Sequence, residues 1–128
     1  MRQEMHFESG LLNVRVEGVF SLEEAKRGFL KILETVAQSQ TKKVLFDGRK
    51  IEGKPTTMER FFYGEFVANE TRRYLAEHRT HSAVRFAYVL IEPVRDPNRF
   101  GEIVASNRGM IVKTFETPEE ALEWLNSS

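Results

Sequence analysis

The residues best placed to do chemistry lie in one stretch, where a short apolar run ends at an acid. Asp47 and Arg49 follow Val44-Leu45-Phe46, and Glu59 and Arg60 stand at the start of the next predicted helix. Backbone N–H groups at a helix N-terminus have no partner within the helix and favour negative charge. Because a glycine-containing loop joins the two pairs, we predict an anion or phosphate site formed by Asp47, Arg49, Glu59 and Arg60.

A structural interpretation of the same residues stays open. Asp47 and Arg49 would then cap the loop and pair with Glu59 or Arg60, as charged groups in loops often do. The loop from Gly48 to Pro55 contains neither the Gly-Lys-Ser/Thr of a P-loop nor the triple glycine of a dinucleotide fingerprint. Nucleotide binding through either motif is therefore not expected.

The sequence contains no motif that assigns a catalytic or metal-binding site. The chain has no cysteine and no serine within a Gly-x-Ser-x-Gly elbow. His78 and His81 lie three residues apart, but no carboxylate or cysteine joins them at a spacing diagnostic of a metal. We predict no metal, cofactor or catalytic residue. An enzyme that uses Asp47 or Glu59 as a base, with Arg49 as an electrostatic partner, is the hypothesis ranked last.

Composition limits the classes of partner and of cellular location. The 128 residues include 19 basic and 19 acidic side chains, so no net charge attracts nucleic acid. With no cysteine the chain can form no disulfide, which fits a reducing compartment. No apolar run has the length of a secretion signal or of a membrane span. We predict a single domain over residues 1–128, located in the cytoplasm, with no nucleic-acid partner and no membrane span.

The pattern of hydrophobic residues indicates the elements that position this stretch. Alternation over residues 5–20, broken at Ser9-Gly10, predicts a β-hairpin. Helical spacing, cap residues and apolar runs then predict a helix from Ser21 to about residue 38, a strand ending at Asp47, a helix from residue 56 or 57 to about 78, a strand at 83–91, a short helix with inward Phe100, Ile103 and Val104, a strand at 110–115 and a final helix after Thr117. This order predicts an α/β fold with a mixed sheet of about five strands and flanking helices, and ligands beyond the carboxyl ends of the strands.

The second predicted helix carries apolar residues around most of its circumference, and three interpretations are open. The helix can be wedged between the sheet and a neighbouring helix. It can form a self-association face through Phe62, Tyr63 and Phe66, which predicts a homodimer. Its aromatic side chains can also enclose a small apolar or amphipathic ligand against the sheet, as in some lipid-transfer modules of related topology.

Several short motifs are spread over nearly the whole chain. They are the opening hairpin, Leu45-Phe46-Asp47-Gly48-Arg49, Gly53-x-Pro55, Glu59-Arg60-Phe61 with Gly64, Asn107-Arg108-Gly109, and Phe115 followed by Ala121-Leu122-x-Trp124-Leu125. With these motifs the sequence resembles the SpoIIAA-like family, which is related to the STAS domains of sulphate transporters and anti-sigma-factor antagonists, and in particular its branch of small bacterial proteins.

The resemblance implies a SpoIIAA-like domain with a regulatory role and a protein partner, not an enzyme. In the antagonists of this family, a kinase phosphorylates a serine at the start of the helix that follows the central strand. Here Thr56 and Thr57 are the hydroxyls at that place, and the family's Asp-Ser-Ser-Gly-like signature is missing. Thr56 and Thr57 are therefore the predicted phosphoacceptors, with a simple N-cap as the alternative. The second functional hypothesis is a domain that binds a small apolar or amphipathic ligand.

Overall fold

The computed structural model describes residues 1–78 and 83–127, which form five strands and four helices. These are β1 (Arg2–Glu8), β2 (Leu11–Val19), α1 (Leu22–Ser39), β3 (Lys43–Glu52), α2 (Thr57–Glu77), β4 (Arg85–Val89), α3 (Phe100–Asn107), β5 (Ile111–Phe115) and α4 (Pro118–Leu125). The predicted α/β class and the order of elements are confirmed. None of the helices in the described ranges has the length and apolar character needed to cross a membrane.

The five strands form one mixed sheet in which spatial order equals chain order, β1-β2-β3-β4-β5. β1 and β2 are antiparallel, and every later pair is parallel. The hairpin turn places Ser9 at φ 54° and Gly10 at φ 78°, the left-handed conformation that tight two-residue hairpin turns require. The predicted hairpin and the mixed five-stranded sheet are therefore confirmed.

The two faces of the sheet are covered unequally. From β2 to β5, each strand is added on the same side of the preceding one, and the helix between them crosses over with a right-handed connection. Such connections place all the intervening helices on one face of the sheet. Helices α1, α2 and α3 accordingly share a core with that face. α4 covers the other face, above β3, β4 and β5. Since the parallel strands progress in one direction without reversing, the sheet has no switch point between them at which a ligand crevice would open.

β3 is longer than the sequence pattern indicates. We expected the strand to end at Asp47, but it continues to Glu52, and Lys50, Ile51 and Glu52 pair with the end of β2. The nine-residue β2 supplies a hydrogen-bonding edge along its whole length, so β3 continues in spite of its polar side chains and Gly48 lies inside the strand. A second expectation was also wrong, because Ile103 of α3 is exposed and not inward.

α2 contacts α1 and α3 and shares a core with the sheet, which explains why its apolar residues surround most of the helix. Tyr63 and Phe66 pack on the main core, and Phe61 stacks with Phe100 of α3 at a centroid separation of 6.4 Å. The interpretation of α2 as a helix wedged between the sheet and neighbouring helices is therefore confirmed. Gly64 permits the close approach of α3, since a Cβ atom there would lie 2.6 Å from the carbonyl oxygen of Gly101.

Candidate functional site

Asp47 and Arg49 form a closed ion pair on the face of the sheet that α4 covers. Asp47 lies two residues after Leu45, a core residue of that face. Because side chains alternate between the two faces of a strand, Asp47 lies on the same face as Leu45. Arg49 donates Nε to Oδ1 at 2.9 Å and Nη2 to Oδ2 at 2.7 Å, and its backbone N–H donates to Oδ1 at 3.2 Å. The bidentate hydrogen bonds from Arg49 hold the pKa of Asp47 below its usual range, and the pKa of Arg49 is raised in turn.

Glu59 and Arg60 lie on the opposite face, at the start of α2. The carboxylate of Glu59 accepts a hydrogen bond from the backbone N–H of Thr56 at 2.8 Å. The guanidinium of Arg60 donates to the carbonyl oxygens of Val94 at 2.7 Å and Pro93 at 2.8 Å. Arg60 therefore ties α2 to the loop that follows β4.

The structure brings Asp47 to Arg49 and Glu59 to Thr56, but it does not bring the two predicted pairs together. The sheet lies between them, because Phe46, the neighbour of Asp47, faces the side on which Glu59 and Arg60 lie. Both guanidinium groups are already hydrogen-bonded within the fold. An anion site that uses all four residues stays a prediction, and it would require rearrangement of these bonds.

A cavity of about 130 Å³ lies between the sheet and the helices α2 and α3. Its wall is mostly apolar and includes Phe46, Val67, Leu90 and Val112. Tyr63 of α2 and Tyr88 of β4 also line it, and their hydroxyl oxygens are 2.8 Å apart. Burial raises the pKa of both phenols above the usual 10.0, so both hydroxyls are protonated at neutral pH.

The three aromatic residues predicted to form a self-association face lie in different environments. Phe62 is 41% exposed on the outer side of α2, whereas Tyr63 lines the cavity and Phe66 is half-buried beside α1. Lys26 of α1 lies 5.4 Å from the ring centre of Phe66. Of the three, Phe62 is the one that a partner can contact without rearrangement of the core.

Within residues 1–78 and 83–127, no three histidine, aspartate or glutamate side chains form a group that could hold a metal. His78 ends α2, where its ring stacks on Tyr74 at a centroid distance of 4.3 Å. His81, the other half of the histidine pair in the sequence, lies outside the described residues.

Comparison with known proteins identifies the fold. No family model matches the sequence, and no curated protein does. Among solved structures, an anti-sigma factor antagonist from Mycobacterium paratuberculosis superposes with a TM-score of 0.57 at 13% identity over 98% of this chain and 94% of that one. The anti-sigma factor antagonist SpoIIAA in its unphosphorylated form gives a TM-score of 0.58 at 12% identity, over 96% and 95%. The chain has the SpoIIAA fold. The protein TM1081 matches with a TM-score of 0.51 at 14% identity, over 97% and 88%.

Within the SpoIIAA fold of this chain, the two predicted phosphoacceptors differ in their contacts. The hydroxyl of Thr56 accepts a hydrogen bond from the backbone N–H of Glu59 at 3.1 Å, which completes a reciprocal capping box. Thr57 is exposed at the first position of α2. At Ser21 the box is incomplete, because its hydroxyl accepts from Glu24 N–H while its own N–H donates to the sulphur of Met1. Phosphorylation of Thr56 or Thr57 stays a prediction.

Replacement of Thr56 by alanine is expected to lower the free energy of unfolding by about 1 kcal/mol, because the first turn of α2 loses its cap. Thr57→Ala is the matched control. It removes an exposed hydroxyl from the next position, and we expect a change within about 0.5 kcal/mol. Urea unfolding monitored by circular dichroism measures both variants. Equal effects of the two substitutions would show that the cap does not stabilise α2.

The Asp47–Arg49 pair is expected to make stability depend on pH in the acid range. Since the pKa of Asp47 is lower in the folded than in the unfolded chain, its stabilisation is complete above the unfolded value of 3.8 and is lost as pH falls through the folded value. Asp47→Asn should therefore lose less stability than the wild type between pH 6 and about pH 2.5. Urea midpoints at several pH values measure this, and Arg49→Met, which removes the partner, should show the same reduced slope.

Proposed function

We propose that this chain is a non-enzymatic regulatory module that binds a partner protein through the outer side of α2, with the cytoplasm as its expected location. The observation that carries the proposal is an apolar surface on a fold shared with anti-sigma factor antagonists. Met58, Phe62 and Phe66 recur every four residues along α2, so they follow one side of the helix. We call these three residues the α2 stripe.

The α2 stripe has the features of a protein-binding surface. Met58 and Phe62 are 57% and 41% exposed, while Phe66 extends the apolar surface toward α1. Exposed methionine and phenylalanine are enriched at protein interfaces. Helix α2 is held from behind by the sheet, α1 and α3, so the stripe is presented on a rigid support. A partner with a complementary apolar groove would bury both exposed side chains.

Regulation by phosphate at the start of α2 belongs to the same proposal. A phosphoryl group on Thr57 would lie at the helix N-terminus, one residue before Met58 of the α2 stripe. The helix dipole favours this charge, and Lys54 in the preceding loop supplies a cation close in sequence. Phosphorylation would thus place negative charge beside the apolar contact and weaken the binding of an apolar partner.

A photo-crosslinking amino acid placed at residue 62 tests the partner proposal in cells of the source organism. The matched control carries the same group at residue 123, an exposed position of α4 on the other side of the sheet. We expect a specific adduct from residue 62 alone. The adduct is identified by mass spectrometry, and the purified partner is then titrated with the wild type and with Phe62→Glu.

The proposal requires that Phe62→Glu weaken binding at least about tenfold while the circular dichroism spectrum is unchanged, since a charge replaces a buried aromatic contact. Equal adducts at both positions, or equal affinities of the two proteins, would contradict it. Cross-links between copies of this chain only, together with a dimer mass by light scattering, would replace the partner protein with a homodimer.

The second candidate function is the binding of a small apolar or amphipathic molecule, and the cavity between the sheet and α2 favours it. Native mass spectrometry of the protein purified from its host tests this candidate. A mass above that of the polypeptide, removed by organic solvent, is expected. A polypeptide mass alone, together with no binding of any small apolar probe, would contradict it.

A further inference from the structure

The cavity under α2 and α3 contains one hydrogen-bond donor that the fold does not use. Tyr63 and Tyr88 each supply one O–H donor, and their mutual hydrogen bond at 2.8 Å uses one of the two. Among residues 1–78 and 83–127, neither hydroxyl has a second hydrogen-bond partner. The remaining O–H belongs to a pair that lines the cavity, so an acceptor inside the cavity would satisfy it.

The charged groups in the same wall are already bound within the protein. Glu102 accepts hydrogen bonds from the backbone and hydroxyl of Thr114 and pairs with Arg99. Asp96 accepts from two backbone N–H groups that follow it, and Arg60 donates to two carbonyl oxygens. Arg60 and Arg99 keep further N–H donors, but the side chain of Arg99 is 49% exposed and Arg60 is held at the loop after β4. The tyrosine pair is the buried polar group of this wall that keeps an unused donor.

The cavity is partly open to solvent, and its volume accommodates one small ring or its equivalent within the wall. A cavity of about 150 Å³ lined by apolar side chains holds benzene and stays dry when empty. The cavity described here measures about 130 Å³. A ring molecule with about six non-hydrogen atoms therefore fits without displacement of the wall.

The apolar part of the wall around the tyrosine pair disfavours a charged occupant. An ionised carboxylate or ammonium that enters an apolar wall loses several kcal/mol of hydration, and one neutral O–H donor does not replace it. A neutral carbonyl or ether oxygen loses less hydration and regains one hydrogen bond.

We propose that this cavity binds a small uncharged molecule with one compact apolar ring and one acceptor oxygen, which takes its hydrogen bond from the Tyr63–Tyr88 pair. The proposal rests on the second candidate function and specifies its ligand class. It is independent of a partner at the α2 stripe, because Tyr63 points into the cavity whereas Phe62 lies on the outside.

Three probes of matched size test separately the apolar ring, the acceptor oxygen and the absence of charge. Cyclopentanone has the ring and the acceptor, methylenecyclopentane replaces the oxygen with carbon, and cyclopentylammonium carries a charge. Each is titrated into the ¹⁵N-labelled protein, and dissociation constants are obtained from backbone amide shifts. The two neutral probes are expected to shift amides of α2 and β4, and the ammonium is expected to leave them unchanged.

The double variant Tyr63→Phe/Tyr88→Phe keeps the shape of the cavity and removes both hydroxyls. It should weaken cyclopentanone binding about tenfold and leave methylenecyclopentane binding within about threefold of the wild type, because only the ketone loses a hydrogen bond. Tyr63→Phe alone is the matched control. The hydroxyl of Tyr88 remains as a donor, so cyclopentanone binding should stay within about threefold of the wild type.

Val112→Phe fills the cavity from β5 and should abolish binding of both neutral probes, while a dispersed amide spectrum shows that the variant is folded. Persistent binding in Val112→Phe would overturn the location. Equal changes for the ketone and the hydrocarbon in the double variant would overturn the hydrogen bond to the tyrosine pair, yet leave small-ligand binding in place. No binding of either neutral probe to the wild type would overturn the ligand class, and native mass spectrometry of the protein from its host would then decide the second candidate function separately.

Discussion

Replacement of Leu125 by alanine is expected to lower the free energy of unfolding by about 2–4 kcal/mol. Leu125 is 1% exposed and packs with Leu45, Ala87 and Val89 on the face of the sheet covered by α4. Among the described residues, α4 is the one helix in that core, so no second helix can move in to close the cavity left by the substitution. Urea unfolding at constant m-value measures the change.

Leu122→Ala is the matched control, because Leu122 lies on the same helix but is half-buried. We expect a loss of about 1 kcal/mol or less for this variant. The end of α4 is also fixed by Arg85 of β4, whose guanidinium donates to the carbonyl oxygens of Trp124 at 2.8 Å and Ser127 at 2.9 Å. Similar losses for Leu122→Ala and Leu125→Ala would contradict the packing of α4 described above.

Gly64→Ala should destabilise the protein by about 1–3 kcal/mol, although alanine favours helices over glycine by about 1 kcal/mol. The added Cβ would lie 2.6 Å from the carbonyl oxygen of Gly101 and 3.2 Å from the Cβ of Val104. Both atoms belong to α3, so α2 and α3 must separate to accept the methyl group. The expected loss is measured by thermal and urea unfolding.

Gly28→Ala in α1 is the control that isolates this effect from helix propensity. A Cβ atom at residue 28 would meet Oε1 of Gln3 at 2.7 Å, and that side chain can rotate away at the loss of its hydrogen bond from Nε2 to the carbonyl oxygen of Gly28. Gly28→Ala should therefore leave stability unchanged or raise it by up to about 1 kcal/mol. If both glycine variants were stabilising, the close contact between α2 and α3 would be refuted.

The sequence was a good guide to elements that depend on local rules. The caps at Thr56 and Thr117 and the turn at Ser9-Gly10 lie where they were predicted, since each is set by side chains within a few residues. The end of β3 was predicted wrongly, because its last residues pair with β2 through backbone groups alone. Side-chain patterns do not reveal such pairing.

The candidate site was harder to predict than the fold. Asp47 and Glu59 are close in sequence, but side chains alternate along β3, so Asp47 lies on the face of Leu45 whereas α2 with Glu59 packs on the face of Phe46. The tyrosine pair was missed for a related reason. Tyr88 lies within an apolar run, and only the parallel strands and the crossing α2 bring it to Tyr63, 25 residues away. A tyrosine inside a central strand was the available signal, since a buried hydroxyl needs a partner.

The equality of chain order and spatial order in the sheet bears on how the protein assembles. Each strand pairs with the strand that precedes it in the chain, but every parallel pairing spans the helix between its two strands. The hairpin can therefore form first, and each later strand can join the sheet only after its preceding helix has been synthesised. The growing edge is always the most recent strand, and α4, the last element, shields the second face only when β5 is in place.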